Sequence, residues 1–150
     1  MNAALRLTDR SWLLLIAVVW GLMLSATTLD RYLPGSIWFE VKQVRVFDAK
    51  AGQSPLMAVD RVVHRPFQAV WIAEVEKWDN GRFTIVSECT GRGESNYSPE
   101  NDLPRLLDLD WWIFPTECKL EPGQYRIETI WRLSGGQQVR ALSNIFAVTN

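Results

Sequence analysis

Between Trp12 and Leu29 the chain reads WLLLIAVVWGLMLSATTL, without a single charged side chain. About 18 residues of this kind lie at the short end of the roughly 17–25 that a helix needs to span a bilayer. The run is apolar all round, so it offers no polar face to water and does not suit an amphipathic core helix. Arg6, Arg10 and the amino terminus precede it against Asp9 alone, and Asp30 and Arg31 stop it. Positive charge is retained on the cytoplasmic side. The order therefore predicts a cytoplasmic tail over 1–11, a transmembrane helix over 12–29, a linker over 30–36 and an exported domain over 37–150. The expected location is a bacterial or host inner membrane, crossed once, with the C-terminal domain in the periplasm. A cleaved signal peptide is the rival reading. It fits less well, because Ser25-Ala26 gives a small residue nearest the cut but Leu24 fills the position that should also be small. Gly21 is the only glycine of the run, so it holds no GxxxG association motif.

The rest of the chain is long enough for one domain. Lys and Arg total 16 against 17 Asp and Glu, with no basic block or stripe. Nucleic acid and anionic membrane surfaces need such a footprint, so neither is an expected partner. Eight tryptophans are present. Trp71 and Trp131 are expected in an aromatic core, and Trp111 and Trp112 are weighed between core and surface.

After the linker the apolar period becomes two. Ile37, Phe39 and Val41 alternate with polar neighbours, and Val44 and Val46 continue out of phase, which predicts a bulge near Lys42-Gln43. Residues 47–55 read as a turn region. Phe67, Ala69, Trp71, Ala73 and Val75 share one face of a strand, Asp79-Asn80-Gly81 makes a tight turn, and Phe83, Ile85, Ser87 and Cys89 line the return strand. Thr90 to Pro115, rich in Gly, Ser, Asn, Asp and Pro, reads as a long loop, with Leu109 to Phe114 returning as a short strand. Pro122-Gly123 turns the chain into a strand with Tyr125, Ile127, Thr129, Trp131 and Leu133 on one face. Gly135-Gly136 closes a further hairpin, and Val139 to Thr149 is the last strand. Roughly seven strands without a helical period predict an all-β antiparallel sandwich.

Tyr125, at the start of a late strand after Leu120-Glu121-Pro122-Gly123, resembles the tyrosine corner of immunoglobulin-like sandwiches. There the phenol bonds back to the backbone of the corner; the plainer reading is a core tyrosine after an ordinary turn. Cys89 and Cys118 do not follow the antibody pattern, since Cys118 precedes the tyrosine. On the exported side of a membrane a disulfide between them is expected, with two buried thiols as the alternative. There is no CxxC and His64 is the only histidine, so no metal or cofactor is expected.

Chemistry is otherwise sparse. Neither GxSxG nor a Walker loop occurs, and Gly91-Arg92-Gly93 is too short for phosphate binding. Asp108 and Asp110 beside Trp111 and Trp112 form the one set that suits a sugar, against the reading of a solvated acidic edge. Tyr97, Asp108, Asp110, Trp111 and Trp112 are the candidate binding residues of the long loop.

The stretches VDRVVHRPFQAVW (Val59–Trp71), the Cys-Thr-Gly-x-Gly at Cys89, LDWWI (Leu109–Ile113), CKLEPGQY (Cys118–Tyr125) and SNIF (Ser143–Phe146) together resemble a group of small phage or prophage membrane proteins. These carry a short N-terminal anchor and an immunoglobulin-like outer domain. The resemblance implies a phage-associated sandwich at the host inner membrane. The expected function is a tethered, non-enzymatic module that binds an envelope or phage protein as an accessory in entry, lysis or exclusion. The alternative is a glycan or cell-wall binder that uses the aromatic loop.

Overall fold

The computed structural model describes residues 9–29, 32–101, 103–113 and 118–150. The chain divides into two compact units, Met1–Leu33 and Pro34–Asn150. In the first, helix α1 (Asp9–Leu29) takes in the whole uncharged run. Its side chains are described from Ser11 to Ser25, and the large apolar ones, among them Leu13, Leu14, Trp20 and Leu22, are exposed. Among the described residues no helix is long and apolar enough to cross a membrane. The expected end of the span at Asp30 and Arg31 lies outside the described residues.

The second unit is built from strands. They are β1 (Phe39–Val46), β2 (Ala49–Lys50), β3 (Leu56–Val63), β4 (Phe67–Asp79), β5 (Arg82–Tyr97), β6 (Leu106–Asp108), β7 (Gly123–Leu133), β8 (Gln138–Leu142) and β9 (Phe146–Thr149), with one helical turn, α2 (Leu109–Trp112). One sheet has the order β1-β3-β6. The other runs β2-β9-β7-β4-β5, with β8 also on β7. Phe39, Val46, Met57 and Val59 of the first sheet share a core with Ala73, Val75, Ile127 and Trp131 of the second, the arrangement of a β-sandwich. All named pairs are antiparallel except β2 with β9.

Local chemistry explains the register. Lys42 is skipped where β1 shifts against β3 between Val41 and Gln43, so Phe39 on one side and Val44 and Val46 on the other all face the core. Asn80 and Gly81 take φ of 48° and 88°, the left-handed pair that a two-residue hairpin turn requires. Residues 47–55 are not all turn, since β2 docks there beside β9. The expected single last strand is divided in two. Ser143 Oγ accepts from Ile127 N at 2.9 Å, while Asn144 Oδ1 accepts from Val46 N at 2.8 Å and its Nδ2 donates to Val46 O at 3.0 Å. These side chains occupy backbone positions of the ladder, so the strand breaks there and links the two sheets.

The largest departure lies in β5. Thr90 to Tyr97 is strand and not loop, paired with β4 from Glu74↔Thr90 to Phe67↔Tyr97. Between Ile85 and Thr90 the register jumps, so Val86 to Cys89 stand opposite Val75 alone. This wide bulge turns Ile85 outward and Cys89 inward, which separates residues that the sequence pattern placed on one face. Cys89 is thereby delivered to Cys118, and the two form a disulfide with a Cα–Cα distance of 4.8 Å.

Replacing both cysteines by alanine is expected to cost about 3–4 kcal/mol of unfolding free energy, from the loop closed by the sequence separation of 29. Urea melts of the two proteins measure it. A loss under about 1 kcal/mol would show that the bond does not limit the unfolded chain.

Candidate functional site

Two parts of the surface combine exposed aromatic side chains with rigid support. The first is the β4–β5 hairpin end. The chain arrives at the opposite end, where Phe39 pairs with Val63 and Phe67 with Tyr97; β4 then runs about 40 Å to Asp79. At the tip Trp78 stacks edge-on against Phe83, with ring centroids 4.9 Å apart. Arg126 lies over the Phe83 ring, 4.1 Å from its centroid, and its Nε donates to Glu76. Trp78 and Ile85 remain 45% and 55% exposed.

Beneath this hairpin sits the corner. Tyr125 is buried, and its hydroxyl donates to the carbonyl of Glu121, four residues upstream, at 2.8 Å. Lys77 Nζ donates to Glu121 Oε2 at 3.2 Å and lies over the Tyr125 ring. The bonded Glu121 carboxylate, and then the Tyr125 phenol, hold the Lys77 ammonium above its ordinary pKa. The corner fixes the start of β7, and β7 fixes β4 through Lys77↔Tyr125.

The second part is the open side of the sandwich, where β5 ends one sheet and β6 the other. Here α2 fills the gap. Trp112 is 1% exposed and meets Trp71 and Trp131 edge-on. Its Nε1–H has no acceptor among the described residues. Trp111, one residue earlier, is 39% exposed and stacks on Trp71 at 5.5 Å and 22°. Glycines make the approach feasible. A Cβ on Gly91 would stand 1.8 Å from the Trp112 carbonyl oxygen, and one on Gly93 would stand 2.4 Å from the Trp71 indole. The Gly-Arg-Gly stretch is thus a packing device for two indoles and one helical turn.

The candidate residues of the sequence are not brought together as expected. Tyr97 is the last residue of β5, 1% exposed, stacked on Phe67; its hydroxyl accepts from Trp131 Nε1 at 3.2 Å. It is a core residue, because the strand that was read as loop carries it inward. The stretch from Leu109 is a helical turn and not a strand, so Asp108 at the end of β6 and Asp110 in α2 share no strand face. Both are exposed. Asp110 lines a separate hollow with Ser54, Pro55 and Leu120, and Ser54 Oγ accepts from its backbone N–H at 3.0 Å. Phe114 and Pro115 lie outside the described residues.

Sequence reasoning missed Arg92, which with Trp71, Gly93 and Trp111 lines a cleft of about 360 Å³. It also placed Ile85 and Cys89 on one face of the return strand, which the register jump separates. The usable signal for the cleft was the glycine pair opposite Trp71, since two glycines one residue apart in a strand mark a close approach. No known family model matches this chain, and no curated protein matches it either.

Gly91→Ala is expected to destabilise by about 3 kcal/mol, because the obstructing atom is backbone and cannot rotate away. Denaturant melts measure the loss. A neutral variant would mean that α2 does not rest on β5.

Proposed function

We propose that this chain is a membrane-tethered, non-catalytic module that holds an immunoglobulin-like sandwich at the periplasmic face of an inner membrane and binds another protein there. The observation that carries the reading is the hairpin end. Trp78, Phe83 and Ile85 gather on one outer surface, beside Arg126, at the end of the domain opposite its linker. Single exposed apolar residues are ordinary. An indole and a phenyl ring on one hairpin, braced by an arginine of the neighbouring β7, have the composition of an interface anchor. The bracing reduces the ordering cost of binding, because the residues are already held in place.

Three further observations support the reading. The uncharged run Trp12–Leu29 falls within one helix, and the basic residues precede it. A disulfide suits an oxidising compartment. The Tyr125 bond to Glu121, between two packed sheets, matches the tyrosine corner of immunoglobulin-like domains. The non-catalytic part rests on the sequence, which has one histidine and no nucleophile motif. The partner class is an envelope or phage protein, in the phage setting that the sequence resemblance implies.

A reporter that is active only in the periplasm, fused after Asn150, is expected to be active. Activity of the corresponding cytoplasmic reporter would sink the tether. For the binding surface, a photo-crosslinking residue in place of Ile85 in the full chain should yield one discrete adduct. Trp78→Ala should weaken that partner by roughly thirtyfold in Kd, the effect of an interface anchor worth about 2 kcal/mol. An adduct that forms equally well from position 137, at the other end, or that survives Trp78→Ala, would remove the hairpin from the proposal.

Tyr125→Phe tests the corner. It keeps the ring and deletes the hydroxyl, so the expected loss is about 0.5–1.5 kcal/mol in urea melts. No measurable change would assign Tyr125 to plain core packing.

A further inference from the structure

We infer that the outer edge of β5 is a dimer seam, where a second copy of this chain adds its own β5 antiparallel and joins the two larger sheets into one. The seam stands apart from the hairpin end and does not depend on the protein-binding reading. Among the described residues β5 pairs with β4 alone. From Thr90 to Asn96, beyond the bulge, it is regular strand, and its backbone makes no hydrogen bond to a described residue outside that ladder. Every second residue therefore turns its N–H and C=O away from β4, which makes a template for another strand. Arg92, Glu94 and Asn96 alternate with the inward positions Gly91, Gly93 and Ser95, and all three are exposed. Glu94 lies on the outer face of the sheet, beside Val70 and Arg132. Neither Arg92 nor Glu94 forms an ion pair with a described residue.

The stretch Thr90-Gly-Arg-Gly-Glu-Ser-Asn96 is complementary to itself when reversed. With a two-fold axis at Gly93, Arg92 stands opposite the partner's Glu94 and Glu94 opposite the partner's Arg92. Opposite charges directly across an antiparallel pair attract and like charges repel. The symmetry makes each such contact twice. An axis moved to Arg92 or to Glu94 sets two arginines or two glutamates face to face. A register that opposes odd to even positions turns outer residues against inner ones. Charge therefore selects one pairing. On the inner face the seam holds only Gly91, Gly93 and Ser95, and these small residues leave room for α2, which rests over Gly91. The cleft of about 360 Å³ between Trp71, Gly93 and Trp111 borders the axis, so the half-exposed Trp111 indole gains cover in the dimer. A strand of a different protein is the competing occupant. It would use the same backbone groups but has no need of the Arg92–Glu94 order. The two-fold contact uses up both β5 edges, so assembly stops at two copies. Seven residues a side fall short of the roughly 20–30 of a standard interface, so the dimer is a reversible one.

The test is energy transfer between full chains in detergent micelles, labelled after Asn150 with a donor or an acceptor. Transfer that saturates with protein concentration, at the stoichiometry of a dimer, is expected. Arg92→Glu alone and Glu94→Arg alone should each weaken it about tenfold or more, because each replaces two attractions by two repulsions. Mixing the two variants should restore it, since one chain then carries both acids and the other both bases. Trp78→Ala should change nothing, which separates failure of the seam from failure of the hairpin surface. Melting curves of the charge variants serve as the folding control. In cells, a photo-crosslinking residue in place of Asn96 should join the chain to a second copy of itself. Absence of concentration-dependent transfer, transfer indifferent to the single charge reversals, no recovery on mixing, assemblies larger than two, or a crosslink to a different protein alone would each overturn the inference.

Discussion

α2 rests on the naked backbone of Gly91, and most of the sandwich depends on that contact. Among the described residues no strand closes the side between β5 and β6. Without a plug, Trp71 and Trp131 would face water across a gap between the sheets. Trp112 fills that gap, and it reaches its place only because the carbonyl of its own residue can lie where a Cβ would otherwise stand. The disulfide acts on the same segment. Cys89 lies two residues before Gly91 and Cys118 follows α2, so the bond holds the plug near its seat in a chain that would otherwise have to order a long excursion. Large aromatic side chains give this seat most of its apolar area, and edge-on contacts between indoles fix their orientation.

The opposite side of the sandwich is held by different physics. There Asn144 makes both bonds that a neighbouring strand would make to Val46, and Ser143 does likewise for Ile127. Asp48 Oδ1 accepts from Ala147 N at 2.7 Å, which ties the start of β9 to the chain after β1. Side-chain amides and carboxylates that stand in for peptide groups let the chain leave one ladder and join another without orphaned backbone polarity. One side is therefore closed by burial and the other by hydrogen bonds. Tyr125 adds a third fastening at the end of the core, where its bond to Glu121 and the Lys77 ammonium above its ring fix β7.

What could be seen in the sequence follows from the range of the forces involved. Period-two alternation is local, so β1 with its bulge, β4, the Asn80-Gly81 turn and β7 were all legible. Trp131, at a buried position of a regular strand, was legible for the same reason. The second half of β5 was not. Gly91, Gly93, Ser95 and Asn96 have the composition of a loop, and they form a strand because β4 pairs with them and Trp71 needs the space above Gly93. The bulge at Val86 to Cys89 reverses which face Ile85 and Cys89 occupy, and nothing in the local pattern announces it. Trp111 and Trp112 could not be divided between surface and core from the sequence, because a helical turn and not a strand sends Trp112 inward and leaves Trp111 half-exposed. The SNIF stretch looked like strand sequence because its partners are distant: Val46 lies 98 residues from Asn144.

The two candidate surfaces are consequences of these closures. A sandwich with an unpaired edge risks joining other edges, and β5 is such an edge. Its outward positions hold Arg92, Glu94 and Asn96, which keep it wet and bar most registers of joining. Since Trp112 must go inward to close the core, its neighbour in the helical turn is carried outward, over Trp71. A half-exposed indole over Trp71 is thus a direct product of closing the sandwich with a tryptophan pair. The hairpin tip has a comparable origin. The wide bulge throws Ile85 out of the core, beside Phe83 and Trp78, and Arg126 with Glu76 then stiffens the surface that results. In both places the exposed aromatic group is held by the same contacts that stabilise the fold, so neither surface can be loosened without disturbing the core beneath it.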